Sequence, residues 1–111
     1  QLQTDCVDLI IRKGYRSHID SYSAFFENDH TTPTGLEGYL RERGVKSLVM
    51  AGLATDFCVR FSAVDAAKLG FDVTVLEDGC RAIDMDGSLA AAMAEMADHG
   101  VAVISSADYR V

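Results

Sequence analysis

Basic residues are few in this sequence, and long apolar runs are missing. Ten Lys and Arg residues stand against 17 Asp and Glu residues, so the formal net charge is −7. Proteins that bind nucleic acids place a basic stripe against the phosphates. No Lys/Arg cluster is found here, and we expect no nucleic-acid partner. A membrane-spanning helix needs about 20 consecutive apolar residues. No run approaches that length, and a membrane partner is not expected either.

Cysteine is also scarce. The three cysteines, Cys6, Cys58 and Cys80, are widely spaced and form no CxxC pair. Small secreted domains that depend on disulfides carry an even set of cysteines at regular spacings. The pattern therefore predicts reduced thiols and a cytoplasmic location. A thiol redox switch ranks last among the roles considered, because no resolving cysteine lies near Cys58 in the sequence.

The chain is long enough for one small domain with a modest core. It has 111 residues, of which 49% are apolar and 24% charged, as in ordinary globular proteins. No internal repeat, linker or low-complexity tract divides it. Since the first residue is Gln1 and a strand pattern follows almost at once, we expect residues 1–111 to form a single α/β domain that lacks its N-terminal half.

Four short apolar runs predict β-strands. Each is nearly continuous in Val, Ile and Leu rather than alternating, which is typical of strands covered on both faces. The runs lie at residues 7–11, 47–51, 73–76 and 101–104. Because helical patterns separate them, the order βαβαβαβ predicts a parallel sheet in a three-layer α/β/α, Rossmann-like fold. Residues 14–34 have no strong periodicity, and a loop of that length is usually functional or disordered.

Apolar stripes at helical spacing predict three helices between the strands. A glycine follows each stripe, where a left-handed residue commonly ends a helix. Asp86 is the predicted N-cap of the third helix. The stripes are Leu36, Tyr39 and Leu40, then Val59, Ala63, Ala66 and Ala67, then Leu89, Ala92, Met93, Met96 and Ala97, followed by Gly44, Gly70 and Gly100 respectively.

Two residues with reactive side chains follow neighbouring predicted strands. Lys13 comes after the first strand, and Cys58 comes after the second as a helix begins. Ligands of open α/β sheets bind beyond the carboxyl ends of the strands. The positive end of a helix and a nearby ammonium both favour a thiolate nucleophile, and backbone N–H groups there can hold an oxyanion. Alternatively, Cys58 is a small buried hydrophobe and Lys13 is a solvated surface residue.

Several segments resemble the bacterial nicotinamidases and pyrazinamidases of the isochorismatase-like (cysteine) hydrolase superfamily. Residues 49–59, VMAGLATDFCV, resemble the nucleophile motif, which carbamoylsarcosine amidases and ureidoacrylate hydrolases share. Residues 20–26, DSYSAFF, also resemble bacterial nicotinamidases, as do Asp78-Gly79-Cys80-Arg81 and Lys13-Gly14, and it is the SYSAFF stretch that points to nicotinamidases in particular. The resemblance covers almost the whole chain and corresponds to the C-terminal half of these enzymes.

The resemblance implies an Asp-Lys-Cys triad in which Cys58 is the nucleophile and Lys13 the lysine. It also implies a non-proline cis peptide between Leu53 and Ala54, with the N–H groups of Ala54 and Cys58 forming the oxyanion hole. Tyr22 and Phe57 are the predicted substrate-binding residues, with core packing as the alternative for both. The implied reaction converts nicotinamide or pyrazinamide to the acid and ammonia through a thioester, as part of NAD salvage.

The resemblance further implies a divalent metal, zinc, iron or manganese, whose ligands lie in the other half of such enzymes. The catalytic aspartate is expected there too, because Asp5 and Asp8 do not match it. No residue of this chain is predicted as a metal ligand, including His18, His30 and His99. The missing N-terminal half is thus an expected partner, and the fragment alone is expected to be inactive.

Three points stay open at this stage. The enzyme could instead be a related cysteine amidase that acts on a carbamoyl or ureido compound. The chain could also be a non-catalytic domain with an idle cysteine. Assembly into a homo-oligomer is the third open alternative, beside a monomer.

Overall fold

The structure is a computed structural model that describes residues 23–26 and 33–109. The predicted strand at residues 7–11 lies outside these ranges, as do Cys6, Lys13 and Tyr22. Among the helices within them, none is both long enough and apolar enough to cross a membrane.

Three parallel strands form one sheet in the order β1-β2-β3. Their bounds are Ser47–Leu53 for β1, Asp72–Arg81 for β2 and Ala102–Ile104 for β3. Each strand overlaps a predicted apolar run, and helices connect the strands along the chain. The predicted α/β class with a parallel sheet is therefore confirmed.

The second strand is longer than the sequence predicts. Its apolar run ends near the middle, but pairing with β1 continues to Arg81. The register shifts on the way, since Met50 lies opposite Val75 whereas Gly52 lies opposite Cys80. The added residues of β2 form an irregular, bulged stretch. This stretch pairs with β1 through its backbone, and most of its side chains are exposed. No apolar run therefore marks it in the sequence.

Gly79 lies in the bulged stretch, where the two strands come close together. A Cβ atom built on Gly79 would lie 2.9 Å from the Cβ atom of Ala51 in β1. Glycine in a strand interior often marks such a close approach of two backbones. The absence of a side chain at Gly79 therefore allows β1 and β2 to stay paired at the end that carries the candidate site.

The three predicted helices are present as α1 (Leu36–Glu42), α2 (Arg60–Lys68) and α3 (Ser88–Asp98). The glycines predicted to follow them have the required left-handed backbone, for example Gly44 with φ +72° and Gly100 with φ +79°. The ends of the helices are thus confirmed as the sequence predicts them.

The predicted N-cap of α3 is wrong. Gly87 occupies the N-cap position with φ +82° and offers no side chain, and Asp86 lies before it with φ +52°. The carboxylate that reaches the first turn belongs to Asp84, whose Oδ1 accepts a hydrogen bond from the Leu89 N–H at 3.3 Å. Two consecutive left-handed residues, Asp86 and Gly87, place the glycine at the N-cap position, and the carboxylate that accepts a bond from the first turn comes from Asp84, earlier in the loop.

The core lies where α2 and α3 pack against each other and α2 packs against β2. Alanines dominate the helical side, and Met96 and Phe25 are the largest fully buried side chains. The Phe25 ring also lies 6.0 Å from the Phe71 ring, at an interplanar angle of 35°. Small side chains on α2 allow its backbone to approach the sheet closely. The other fully buried core residues are Ala63, Ala66, Val75 and Ala92.

Candidate active site

Cys58 lies just beyond the carboxyl end of β1, in a wide helical turn formed by Thr55–Val59. The Ala54 carbonyl accepts hydrogen bonds from the N–H groups of Phe57 at 3.1 Å and Val59 at 3.0 Å. The second bond spans five residues and gives the turn its π-helical width, a geometry frequent at functional sites. The turn continues directly into α2, so Cys58 lies at the N-terminal, positive end of a helical segment.

A non-proline cis peptide joins Leu53 to Ala54, as the resemblance implies. Ala54 itself has an extended backbone, with φ −98° and ψ 151°. Ala54 is thus the single residue between the end of β1 and the start of the helical turn. The peptide N–H groups of Ala54 and Cys58 lie within five consecutive residues of this junction. Their role as an oxyanion hole remains a prediction.

The Cys58 side chain is half-buried and lines a cavity of about 360 Å³ that runs along β1. Its described lining is mostly apolar and includes Phe25, Leu36 and Leu53. This composition and volume fall in the range of small-molecule sites. Phe57, a predicted substrate-binding residue, is half-buried in the same turn but is not among the described residues that line this cavity.

One wall of the cavity is a short segment that α2 and a threonine hold in place. Ser62 of α2 accepts a hydrogen bond from the Ala24 N–H at 2.8 Å. The Thr34 hydroxyl donates to the Ala24 carbonyl at 2.5 Å, and the Thr34 N–H donates to the Phe25 carbonyl at 3.0 Å. Ala24, Phe25 and Ser62 all line the cavity, so these bonds shape the space beside Cys58.

Asp56 is a fully buried carboxylate in the turn that carries Cys58. Its Oδ1 accepts a hydrogen bond from the Ile83 N–H at 3.0 Å, and its Oδ2 accepts bonds from the Asp84 N–H at 2.6 Å and the Ser88 hydroxyl at 2.5 Å. Burial raises the pKa of this carboxyl. The bonds from Ser88, Ile83 and Asp84 outweigh burial and lower the pKa from 3.8 to about 2.

The lowered pKa of Asp56 predicts how stability changes with pH. A carboxyl whose pKa is lower in the folded state stabilises the fold above its unfolded value, and this contribution is lost as the pH falls through the folded value. We therefore expect the urea midpoint to fall between pH 3.8 and about 2, and to fall less steeply in Asp56→Asn. Midpoints measured at a series of pH values test this. Parallel curves for the two proteins would contradict it.

The structure describes three of the five predicted site residues. Cys58, Ala54 and Phe57 lie together in one segment, whereas Lys13 and Tyr22 lie outside the described residues. Within residues 23–26 and 33–109, no group of three or more His, Cys, Asp or Glu side chains is placed to hold a metal ion. The residues described here therefore do not fit a metal site.

Sequence reasoning assigned no role to Asp56, although this residue lies in the quoted motif. An acidic residue in a first helical turn normally indicates no more than a favourable interaction with the helix dipole. The groups that it binds are 27 to 32 residues away along the chain. No local pattern links the two segments, so the burial and bonding of Asp56 could be found only from the structure.

Comparison with known proteins identifies the family. The Isochorismatase domain matches residues 12–108. A nicotinamidase of Acinetobacter baylyi is 53% identical over 105 residues, which is 95% of this chain and 49% of that protein. The chain thus spans about half the length of the relatives that it matches.

Solved structures agree with this match. An Acinetobacter baumanii nicotinamidase/pyrazinamidase superposes with a TM-score of 0.89 at 57% identity, covering 90% of this chain and 48% of that one. A protein of L. infantum solved with nicotinate gives a TM-score of 0.89 at 44% identity, covering 96% and 52%. A Pyrococcus horikoshii pyrazinamidase solved with zinc gives 0.65 at 34%, covering 78% and 44%. Since the domain match takes in nearly the whole chain, including the Cys58 turn, the chain belongs to the isochorismatase domain family.

Proposed function

We propose that this chain is the cysteine-bearing part of an amidohydrolase that converts nicotinamide, and pyrazinamide, to the corresponding acid and ammonia. The observation that carries the proposal is the position of Cys58. It lies in a helical turn beyond the carboxyl end of β1, directly after the cis peptide, on the wall of a cavity. The similarity to nicotinamidases at up to 57% identity supports this substrate class.

The proposed reaction is acyl transfer through a covalent thioester. The Cys58 thiolate attacks the carboxamide carbon, and the N–H groups of Ala54 and Cys58 donate hydrogen bonds to the oxyanion that forms. The C–N bond then breaks, and the leaving nitrogen takes a proton and departs as ammonia. Water attacks the thioester, releases the carboxylic acid and returns the thiol.

An aspartate outside this chain is proposed to take the thiol proton and deliver it to the leaving nitrogen. Lys13 is proposed to stay protonated and to balance the negative charge of the thiolate and the aspartate. Tyr22 and Phe57 are proposed to contact the ring of the substrate. These roles rest on the resemblance.

A divalent metal is proposed for the complete enzyme, as zinc, iron or manganese. The pyrazinamidase of Pyrococcus horikoshii was solved in complex with zinc. The described part of this chain does not present a matching ligand set, so the ligands are proposed to lie in an N-terminal half of the same protein. No step of the proposed reaction is assigned to the metal.

The proposal predicts which amides the enzyme hydrolyses. The full-length protein that contains this chain should release ammonia from nicotinamide and pyrazinamide, but not from a ureido or carbamoyl compound of similar size. Ammonia release in a coupled assay measures this. Preference for the ureido compound would assign the chain to a different amidase of the same family. Release by residues 1–111 alone would overturn the proposal that the catalytic aspartate lies outside them.

A further inference from the structure

The carboxylate of Asp56 connects two separate segments at the carboxyl end of the sheet. One is the turn Thr55–Val59, which carries Cys58. The other is the loop of residues 82–87 between β2 and α3, together with the first residue of α3, Ser88. Both oxygens of Asp56 are used, and all three donors belong to the second segment.

The second segment combines an unusual backbone conformation with further hydrogen bonds around Ser88. Asp84 has a left-handed backbone with φ +55°, which is uncommon for a residue with a side chain. Ser88 donates to Asp56 while its Oγ accepts a bond from the Met85 N–H at 2.8 Å. The carboxylate, the hydroxyl and the backbone N–H groups thus form one connected network around a loop that has no regular secondary structure.

Because Asp56 is buried, its carboxylate needs hydrogen-bond donors from the protein at suitable distances. Asp56 is 0% exposed, and a buried carboxylate is tolerated only when hydrogen bonds replace the water that it loses. An acid that merely favours the helix dipole can stay at the surface. Three donors therefore hold the carboxylate at once, and a displacement of the Cys58 turn relative to residues 83–88 would lengthen these bonds.

We infer that Asp56 is a positioning residue that fixes the turn carrying Cys58 against the loop of residues 82–88. It does not contact the substrate and takes part in no bond-making step. The inference rests on the proposed function, since it takes Cys58 as the nucleophile. A displacement of about 1 Å in a catalytic group can cost about 100-fold in rate, so a rigid support for this turn has a direct kinetic consequence.

The substitution Asp56→Asn tests the inference with little change in volume. The amide has one acceptor oxygen, so its NH₂ group must face a donor N–H or hydroxyl in either orientation. In the full-length protein we expect kcat to fall about 10- to 100-fold while KM changes by less than about threefold. We also expect slower alkylation of Cys58 by iodoacetamide, followed by mass spectrometry of the peptide that contains Cys58.

Asp78→Asn is the matched control. Asp78 also accepts two hydrogen bonds, from the Ser106 N–H at 2.8 Å and the Ser106 hydroxyl at 2.5 Å, but it holds the turn Ser106–Asp108. This variant should lose stability and keep the kcat and the alkylation rate of the parent protein. Equal losses of kcat in both variants would show that general destabilisation is responsible and would overturn the inference.

Ser88→Ala keeps the test decisive if Asp56→Asn does not fold. It removes one donor to Asp56 and leaves both backbone donors. A folded Ser88→Ala protein with an intermediate loss of kcat and slower alkylation supports the inference, and one with unchanged values overturns it. If the parent protein releases no ammonia, the proposed function fails. The alkylation rates of the variants then still decide whether Asp56 positions Cys58.

Discussion

Replacing Cys58 by alanine is expected to abolish ammonia release from nicotinamide by the full-length protein. Without the sulfur no thioester can form, and removal of a covalent nucleophile typically lowers kcat by about 10⁴-fold or more. The expected rate is indistinguishable from that of an assay without enzyme. Because Cys58 is only half-buried, the alanine variant should keep the unfolding midpoint of the parent protein within experimental error.

Cys80→Ala provides the matched control for this result. Cys80 is a free cysteine, buried in β2 opposite Gly52 of β1. Its replacement removes the same thiol group close to the same end of the sheet. Activity should survive in Cys80→Ala and disappear in Cys58→Ala. Substantial turnover by the Cys58→Ala protein would refute the assignment of the nucleophile, and equal loss in both variants would point to a disturbed fold.

The largest effect on stability is expected from Met96→Ala. Met96 is 0% exposed and is a buried residue of α3, the helix that packs against α2 and the turn Thr55–Val59. Truncating a buried methionine loses its transfer free energy and leaves a cavity, at a cost of about 2–5 kcal/mol. A domain of this size has only about 5–15 kcal/mol of stability. Urea unfolding should therefore show a clearly lowered midpoint with a similar slope.

Met85→Ala is the matched control for Met96→Ala, because it removes the same side-chain atoms from an exposed methionine. Met85 is 62% exposed in the loop before α3, so the same truncation removes little buried surface and should change the free energy of unfolding by less than about 0.5 kcal/mol. Equal losses in the two variants would contradict the assignment of Met96 to the core.

The sequence predicts the parallel α/β fold because its signals are local. The apolar runs marked the positions of β1 and β3, although no residue of either strand is fully buried, and the stripe on α3 marked the helix whose Ala92 and Met96 are buried. The bulged half of β2 could not be predicted in this way, since its side chains are largely exposed and its pairing partner lies in another segment. The error at Asp86 has a related cause. Left-handed residues in the preceding loop decide which carboxylate meets the helix, and side-chain type alone does not report them.

In the candidate site, too, the features with local sequence signals could be predicted, and those that depend on a distant segment could not. The location of Cys58 at a strand–helix junction follows from chain order, and the cis peptide before it follows from the resemblance. The buried carboxylate of Asp56 depends on a loop that is distant in sequence. Its three bonds come from residues 83–88, and no motif links that loop to the turn that carries Cys58. The placement of Cys58 within one short motif was therefore predictable, and the support of that motif by a second segment was not.

The close approach of Gly79 to Ala51 has a consequence for how sequences of this fold can vary. The two positions share a single volume, because a Cβ atom on Gly79 would lie 2.9 Å from the Cβ atom of Ala51. A side chain can therefore occupy one of the two positions only at the expense of the other. Acceptance of a side chain at position 79 thus depends on the residue at position 51. A pair of residues outside the Cys58 turn thus restricts the substitutions that are open to the strand leading into that turn.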